Sequence, residues 1–436
     1  MRVRKLSSDT CCLFRLVISV GFFLITKMFS FFVVFCLFLF FTNSTNSCDD
    51  KDEGKLRYMP EFNAIDNSKW TKYLNLIQNA NIEFLKSNFT TDSCDVFTPL
   101  INNDLKYFED KFGKNFIDKN VVEKTIKSQR TVHYQIVNKR LYRQIKCSFP
   151  ARCEGIEHFL LKIVNHLPNM DLFINVRDYP QVGKNFHTED QLPIMSFSKD
   201  TKNYADIIYP AWTYWSGGPA LEIYPHGIGR WDLQRLSLIK TQNELPWLKK
   251  KSIVFFRGSR TSSERDSIIL LGRKRPDIVD SKYTKNQAWK SLKDTLGDEP
   301  AKPVTFEDHC PYKYLFNARG VAASFRLKHL FLCRSVVIDI ESDWIEFFYP
   351  PLKAWIHYVP VRKDMKNAEE ILEFLIENED ISSHIAKRGY EFIQKYLTID
   401  CIEHYWRVLL ENYSQRLIKY RPSQPDDDLI DITVLK

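Results

Sequence analysis

Short apolar runs alternate with helix-like segments along most of the chain after Gly155, and this alternation limits the fold more than any other feature. A first block has a helical pattern at 156–167 and apolar runs at 170–176 and 192–198. Apolar runs of this length, without polar alternation, are typical of strands that are buried on both faces of a sheet. The first block therefore predicts an α/β domain with a strand in each run.

A second block of the same kind begins after PWLKKK at 246–251, which we interpret as the crossing point between two domains. Its predicted elements are a strand at 252–256, a helix at 264–274, a strand at 312–318, a helix at 321–333, a strand at 335–340 and a helix at 367–378. Two such blocks predict an α/β protein with two doubly wound Rossmann-type domains facing a cleft.

The predicted organisation has a leader, two domains, a helix and a tail. These are a leader at 1–47, a first α/β domain at 55–245 with a mostly helical part at 60–145, a Rossmann-like domain at 246–400, a helix at 401–421 and a polar, mobile tail at 422–436. The helical part is predicted from apolar residues spaced by three and four positions at 70–89 and 116–129. The last helix is expected to return to the first domain.

The leader has the pattern of a secretory signal. Basic residues precede an apolar stretch from Leu16 to Phe41 that is interrupted by Lys27, and a polar segment follows. A signal anchor that spans the membrane is the alternative. We favour cleavage because the uninterrupted apolar run covers only Met28 to Phe41, and Met28 offers a second start for a shorter signal. The remainder is expected to be lumenal, with no membrane contact except a possible anchor.

Cysteine content agrees with an oxidising compartment. An even number of cysteines follows the leader region, namely Cys94, Cys147, Cys153, Cys310, Cys333 and Cys401. Disulfides are the first interpretation, with the pairing left open. Zinc would need tight cysteine and histidine pairs, which only Cys147 and Cys153 approach. Sequons at Asn43, Asn88 and Asn412 are compatible with glycosylation in the same compartment.

The net charge of +8 does not indicate a nucleic-acid partner. Part of the charge belongs to the leader, and the remaining basic residues form no run. Nucleic-acid binding requires basic residues that cluster on one face. We therefore expect no nucleic-acid partner.

A candidate catalytic carboxylate follows the first predicted strand. The strand at 170–176 ends at Arg177, so Asp178 lies just beyond its carboxyl end. Ligand-binding groups occupy this position in open α/β sheets. A carboxylate there can accept a proton from a hydroxyl, as a general base must. The alternative is that Asp178 caps the turn before Pro180.

Two loops of the second block have the composition of anion-binding sites. In the first loop, at 255–266, Gly258 and Ser259 precede Arg265. Backbone N–H groups, a hydroxyl and guanidinium groups can all bind phosphate oxygens. The alternative is a basic surface loop in which Arg265 pairs with Glu264 or Asp266.

The second loop begins at Gly320, which allows a tight turn, and Val321–Ser324 is predicted to form the first helical turn after it. Arg326 would then lie near a helix N-terminus, where a cation opposes the macrodipole. A bound anion would remove that penalty, whereas an arginine that points to solvent would incur little of it. Together the two loops predict a diphosphate site.

An aromatic segment lies between the two blocks. It contains Tyr209, Trp212, Tyr214 and Trp215, followed by Gly217, Gly218, Tyr224 and Pro225. Aromatic faces suit sugars and extended peptides, and a core cluster is an equal alternative. The pattern Asp-x-Asp, which often holds a metal ion for a sugar nucleotide, occurs only at 50–52 and 426–428. We therefore predict that arginines and a helix terminus, without a metal or other cofactor, stabilise the leaving diphosphate.

A set of motifs extends across both blocks. They are NVRDYPQV at 175–182, YPAW at 209–212, GRWD at 229–232, FFRGSRTS at 255–262, ERD at 264–266, YTKNQAWKS at 283–291, KYLFN at 313–317, RGVAASFR at 319–326 and HLFLC at 329–333. Together they resemble the Rumi-type protein O-glucosyltransferases, with similarity from about residue 65 to about residue 410. The resemblance implies a GT-B fold, UDP-glucose as donor and, as acceptor, the serine of C-x-S-x-P-C in EGF-like repeats. Notch receptors are the implied clients, and some family members also transfer xylose from UDP-xylose.

The resemblance also assigns residues. It implies that Asp178 is the catalytic base and Arg177 an acceptor contact. The implied donor site consists of Tyr224, Ser259, Arg265, Val321, Ala322, Ala323, Ser324, Phe325 and Arg326. The implied acceptor site consists of Ser148, Phe149, Pro150, Ala151, Arg152, Ala220, Leu221, Glu222, Ile223, Tyr224 and Pro225, with Gln287 nearby. The implied disulfides are Cys147–Cys153, Cys310–Cys333 and Cys94–Cys401.

Two features depart from the family pattern. The family has an extra disulfide in the region where Cys94 stands alone, and it usually ends in a KDEL-like tetrapeptide where this chain has Thr433–Lys436. We expect a monomeric, inverting enzyme of the endoplasmic reticulum lumen that forms no covalent intermediate. The rival hypotheses are a protein O-xylosyltransferase that uses the same site and a non-catalytic chaperone that binds EGF repeats.

Overall fold

The structure is a computed structural model that describes residues 68–87, 93–218, 223–224 and 228–435. These residues all belong to one compact unit, Met59–Lys436. The predictions for the leader, for Asn43 and Asn88, and for the acceptor residues Ala220, Leu221, Glu222 and Pro225 lie outside the described residues. No described helix has both the length and the apolar character that a membrane span requires.

The helices of the described region alternate with strands in the second half of the chain. They are α1 (Thr71–Lys86), α2 (Thr98–Phe112), α3 (Lys119–Lys127), α4 (Pro150–Ile163), α5 (Trp231–Glu244), α6 (Asp266–Lys274), α7 (Leu327–Leu332), α8 (Ala368–Glu377), α9 (Glu379–Tyr396) and α10 (Ile399–Arg416). Side-chain caps account for the starts of two of them, α3 and α10. The side chain of Asp118 accepts a hydrogen bond from the Val121 N–H, and Thr398 does the same for Cys401.

The strands form two main sheets and one small ribbon. They are β1 (Val132–Val137), β2 (Arg140–Gln144), β3 (Met170–Ile174), β4 (Met195–Ser196), β5 (Lys199–Asp200), β6 (Ile207–Ile208), β7 (Lys251–Gly258), β8 (Val279–Tyr283), β9 (Tyr312–Asn317), β10 (Val336–Ile340), β11 (Trp344–Ile345), β12 (Val359–Val361) and β13 (Leu429–Asp431). The α/β class and the parallel strands predicted from the sequence are confirmed.

The second sheet is entirely parallel, with the order β12-β10-β9-β7-β8. Within this sheet, β7 is the first strand along the chain, β8 lies on one side of it, and β9 lies on the other side. The strand order therefore reverses between β7 and β9. In open α/β sheets, ligands bind beyond the carboxyl ends of the strands at such a switch point.

The first sheet is mixed, with the order β13-β2-β1-β3-β4-β6. Only β3, β4 and β6 are parallel, whereas β1 and β2 form an antiparallel hairpin. The prediction of mostly helix over 60–145 holds for α1 to α3 but is wrong for 132–144. The hairpin forms because Asn138 and Lys139 adopt positive φ angles of 50° and 64°, the geometry of a type I′ turn, and because every residue of β1 is buried.

Several contacts join the first half of the unit to the second. Strand β11 pairs with β5, so that Trp344 lies opposite Asp200. Helix α10 packs against α2 and α4, as predicted for a closing helix that returns to the first domain. A disulfide joins Cys94 to Cys401 at the start of α10. The disulfides Cys147–Cys153 and Cys310–Cys333 also form, so all three implied pairings are present.

Helix α7 is shorter than predicted and begins at Leu327. The prediction that Val321–Ser324 forms its first turn is wrong, because tertiary hydrogen bonds hold this segment as a loop. The Tyr349 hydroxyl lies 3.2 Å from both the backbone nitrogen and the carbonyl oxygen of Ser324. The predicted anion site would therefore offer side chains and loop backbone at 321–324 in place of a helix terminus.

The tail at 422–436, which was predicted to be mobile, is described up to Leu435, and Leu429–Asp431 within it forms a strand of the first sheet. Strand β13 pairs with β2, and Ile432 is buried. Asp426 donates its N–H to Gln135 Oε1 at 3.0 Å, and Gln135 Nε2 donates to Asp426 Oδ2 at 3.0 Å. The apolar residues that follow the three aspartates are the sequence signal for this strand.

The Asp426 side chain is expected to stabilise the docked tail. We predict that Asp426→Ala lowers the free energy of unfolding by about 1 kcal/mol, because Gln135 loses a charged hydrogen-bond partner. Asp427→Ala is the matched control, since both aspartates are exposed but only Asp426 bonds to Gln135 among the described residues, and its expected change is within about 0.5 kcal/mol. Chemical denaturation checks both values. Equal effects of the two variants would contradict the prediction.

Candidate active site

The turn that follows β3 is held by buried polar side chains. Asn175 is fully buried, donates from Nδ2 to the carbonyl of Tyr179 at 2.7 Å, and accepts the Arg177 N–H at 2.9 Å. The buried carboxylate of Asp206 accepts the backbone N–H groups of residues 181 and 182 at 2.7 and 2.8 Å. These bonds fix the turn on both sides of Asp178, whose side chain remains 47% exposed. Arg177 is exposed beside it.

Arg152 is the ion-pair partner of Asp178. Its Nη1 lies 3.0 Å from Asp178 Oδ1 and donates to the Val176 carbonyl at 2.6 Å. No described backbone N–H donates to the Asp178 carboxylate, so the capping alternative has no support in the described region. Arg152 is predicted from the sequence as an acceptor residue, and its contact with the candidate base is visible only in the structure.

The two predicted anion loops meet at the switch point of the second sheet, because they follow the neighbouring strands β7 and β9. Arg265 links them and is 5% exposed. Its Nη1 donates to the Ser259 carbonyl at 2.9 Å on the first loop. Its Nε and Nη2 donate to the carbonyls of Arg319 and Ala318 at 2.9 and 3.1 Å on the second loop.

The carboxylates near Arg265 pair with other arginines. Asp266 accepts two hydrogen bonds from Arg260, and Glu264 accepts two from Arg319. The alternative in which Arg265 pairs with Glu264 or Asp266 is therefore wrong. Within the described residues, Arg265 forms no ion pair with any carboxylate.

Arg326 lies beside Arg265 and is not directed to solvent. Its Nη1 donates to the Arg257 carbonyl at 2.9 Å, and its guanidinium lies 4.8 Å from the Phe256 ring centre. Burial lowers the pKa of Arg265 to about 10, and burial together with the charge of Arg265 lowers the pKa of Arg326 well below its usual value. No described carboxylate pairs with Arg326 either. Two adjacent guanidinium groups without a counter-charge favour a bound anion.

Glycine at position 258 makes room for Arg326. A Cβ atom built there would lie 2.1 Å from Arg326 Nη2. The end of β7 therefore lets the guanidinium lie directly against the backbone, as expected for a glycine where a charged group approaches closely.

A cavity of about 200 Å³ opens beside the second loop. Its lining includes Asn317, Arg319, Ala323, Ser324, Asp339, Tyr349 and Tyr358. Ser324 donates to Asn317 Oδ1 at 2.7 Å, and Asn317 Nδ2 donates to Asp339 Oδ1 at 2.6 Å. Burial raises the pKa of Asp339 to about 7. Carboxyl, amide and aromatic groups together can bind a nucleoside.

Asn317 and Asp339 are lining residues that were not predicted from the sequence. Both are polar residues at the carboxyl ends of parallel strands, β9 and β10. Their position at strand ends, like that of Asp178, is the sequence signal that could have identified them.

Contiguous packing connects the candidate base to the anion loops. The Arg152 guanidinium lies 4.5 Å from the Trp212 ring centre, and the Trp212 and Phe325 ring centres are 6.2 Å apart. Phe325 precedes Arg326 in the chain. On the other side of the turn, the Tyr179 and Trp344 rings pack edge to face at 5.2 Å beside a cavity of about 260 Å³. Packed side chains thus connect the candidate base to the predicted anion loops.

The remaining donor residues of the predicted site are spread around the second loop. Val321 is 44% exposed, whereas Ala322, Ala323 and Ser324 are buried. The Tyr224 hydroxyl accepts the Phe306 N–H at 2.7 Å, and the two rings stack with centres 5.5 Å apart. Tyr224 therefore already has a protein partner for its hydroxyl.

Of the described acceptor residues, Arg152 contacts Asp178 directly. Ser148–Arg152 connects β2 to α4, is closed by the Cys147–Cys153 disulfide, and exposes 42% of Phe149. Gln287 is exposed in the loop after β8, and Ile223 is half-buried. Of the aromatic segment, Tyr209, Trp212 and Tyr214 are fully buried core residues. Trp212 reaches the site through Arg152, and the Tyr209 hydroxyl donates to the Asn175 carbonyl at 2.8 Å.

Other predicted or possible ligand groups lie away from this site. Asn412 lies within α10 and donates to the Val408 carbonyl at 2.9 Å. His133, Asp171 and Asp426 form the group of possible metal ligands found among the described residues. They are linked by hydrogen bonds, 2.8 Å between His133 and Asp171 and two bonds through the Gln135 amide.

Comparison with known proteins identifies a family and several relatives. The model of glycosyl transferase family 90 matches residues 89–433. The chain is 50% identical to protein O-glucosyltransferase 1 of Homo sapiens over 351 residues, which is 80% of this chain and 87% of that protein. It is 55% identical to O-glucosyltransferase rumi of Drosophila melanogaster over 299 residues, which is 68% of this chain and 72% of that protein.

Proposed function

The chain belongs to glycosyl transferase family 90 and is a glycosyltransferase, and from this premise we propose that it is a protein O-glucosyltransferase. In the proposed reaction, glucose moves from UDP-glucose to the serine of C-x-S-x-P-C in folded EGF-like repeats, with Notch-type receptors as clients. The proposed architecture is of the GT-B type, in which the parallel five-stranded sheet belongs to the donor half. The names of the relatives support the reaction class.

The observation that carries the proposal is the pair of arginines at the switch point. Arg265 and Arg326 face the two loops without any described carboxylate partner. A diphosphate would supply the missing negative charge, and the neighbouring cavity has carboxyl, amide and aromatic groups suited to a nucleoside. UDP combines both parts in one ligand.

The proposed reaction is a single displacement. Asp178 takes the proton from the acceptor serine while the serine oxygen attacks the anomeric carbon. The bond from that carbon to the UDP oxygen breaks, and its electron pair leaves with UDP. Arg265 and Arg326 stabilise the charge that develops on the diphosphate. Because one displacement inverts the carbon, an α-linked donor gives a β-linked product.

We propose that this step needs no metal ion. Two guanidinium groups are available to the diphosphate, and the one described Asp-x-Asp pattern, at 426–428, belongs to the tail on the first sheet. Asp426 is already hydrogen-bonded to Gln135 in that sheet. Metal chelation is therefore expected to leave the transfer rate unchanged.

The proposed acceptor surface includes the disulfide-closed segment 148–152. Its exposed Phe149 lies next to Arg152, which contacts the candidate base. The three disulfides suit a protein that folds and works in the secretory pathway. The endoplasmic reticulum lumen, where client repeats fold, is the proposed location.

Transfer to a single folded EGF-like repeat tests the proposal. Purified protein is incubated with UDP-glucose or UDP-xylose and a repeat that contains C-x-S-x-P-C, and intact mass is measured with and without EDTA. We expect one hexose per repeat, no addition to a repeat with serine replaced by alanine, and equal rates in EDTA. Pentose addition alone would favour the xylosyltransferase, and binding of the repeat without any transfer would favour the chaperone. Strong inhibition by EDTA would contradict the metal-free step.

A further inference from the structure

We propose that Arg152 is a positioning residue that orients Asp178 and couples acceptor binding to the base. The inference rests on the proposed role of Asp178 as general base. Arg152 Nη1 lies 3.0 Å from Asp178 Oδ1, and it is the partner that the structure gives this carboxylate. The contact leaves Oδ2 without a partner among the described residues, so Oδ2 is the oxygen available to the acceptor hydroxyl.

The Arg152 guanidinium is itself fixed from several directions. Its Nη1 donates to the Val176 carbonyl at 2.6 Å, two residues before Asp178. Its central carbon lies 4.3 Å from the ring centre of Phe149 and 4.5 Å from that of Trp212. The side chain is only 19% exposed. A guanidinium held by a carbonyl and two aromatic rings loses little further freedom when it binds a carboxylate.

Arg152 also belongs to the surface where the acceptor is proposed to bind. Phe149 is 42% exposed and covers one face of the guanidinium. A protein acceptor that covers Phe149 would exclude water from the ion pair, and ion pairs strengthen when water is excluded. The base would therefore be most firmly oriented when an acceptor is in place.

The alternative is that the ion pair has a purely structural role. Exposed ion pairs normally contribute little to the free energy of unfolding. Arg230 provides a matched control for that alternative. It pairs with Asp232 at 2.9 Å and lies 4.4 Å from the Trp215 ring centre, but the structure gives it no contact with Asp178. A structural role would make Arg152 and Arg230 similar in effect.

The test measures kcat, KM and the Kd for UDP in Arg152→Ala, Arg152→Lys and Arg230→Ala. We expect Arg152→Ala to lower kcat about 10- to 100-fold, because a misplaced catalytic group costs about this much. The Kd for UDP is expected to stay within about twofold, and Arg152→Lys is expected to recover part of kcat because it keeps the charge. Arg230→Ala is expected to keep the wild-type kcat. If Arg152→Ala does not fold, Arg152→Gln replaces it, since it removes the charge and keeps a donor.

A double variant tests whether Arg152 acts through Asp178. Added to Asp178→Asn, Arg152→Ala is expected to lower residual turnover by less than about threefold, since residues that act as a unit are not additive. The positioning role would be overturned if Arg152→Ala lowered turnover in the double variant as much as it does in the wild type, or if Arg152→Ala kept the wild-type kcat. Either result would leave the proposed function unaffected. A wild-type protein that transfers no sugar would overturn the proposed function instead.

Discussion

Replacing Asp178 with asparagine is expected to lower kcat for sugar transfer about 10²- to 10⁴-fold, the usual contribution of a general base. Asparagine keeps the size of the side chain and an oxygen that can face Arg152, but it cannot accept the proton of the acceptor hydroxyl. The Kd for UDP is expected to stay within about twofold, because the arginines proposed to bind the diphosphate belong to the other sheet. Intact-mass assays and calorimetry measure the two quantities separately.

Asp232→Asn is the matched control for this variant. Asp232 also pairs with an arginine, Arg230 at 2.9 Å, and it lies in the first turn of α5 in the same half of the unit. Its replacement is expected to keep wild-type kcat. Retained turnover in Asp178→Asn, together with normal UDP binding, would show that another group takes the proton.

The sequence predicted the part of the fold that depends on local periodicity. The strands β7, β9 and β10 and the helices α6, α8 and α10 lie close to their predicted ranges, because buried parallel strands and amphipathic helices have distinct apolar patterns. The hairpin at 132–144 differs from the helix predicted there, because β1 is buried throughout and the turn depends on the positive φ angles of Asn138 and Lys139. The loop at 321–326 was missed because Tyr349, which holds it, is distant in sequence.

The sequence predicted which residues lie at the candidate site, but it did not predict which arginines pair with which carboxylates. Strand ends located Asp178 and both anion loops, since ligand groups gather beyond the carboxyl ends of parallel strands. The sequence could not show that Asp266 pairs with Arg260 and leaves Arg265 free of carboxylates, because several acids and arginines lie within a few residues of one another. Nor could it show the contact of Arg152 with Asp178, which joins two separate segments.

Removal of the Arg326 guanidinium is expected to lower kcat/KM about 10²- to 10³-fold, the cost of losing one preorganised group that stabilises developing charge. Arg326 has no described carboxylate partner, so no described carboxylate loses an ion pair in Arg326→Ala. The variant is therefore expected to keep its fold, while UDP raises its Tm less than it raises that of the wild type. A wild-type UDP-dependent rise in Tm would contradict this assignment.

The variant Gly258→Ala keeps the Arg326 side chain but displaces its guanidinium, so it tests whether the position of this charge matters. The new Cβ would lie 2.1 Å from Arg326 Nη2, the far end of a flexible side chain, so the guanidinium can move away at little cost in stability. We expect a Tm near that of the wild type but a Kd for UDP raised about tenfold or more, because the charge no longer faces the diphosphate. For Gly272→Ala in α6 we expect a lower Tm and an unchanged Kd for UDP. Its Cβ would meet Oγ of the short, packed Ser281 at 2.2 Å, away from the loops. Tight UDP binding by Gly258→Ala would mean that the position of Arg326 does not determine donor affinity.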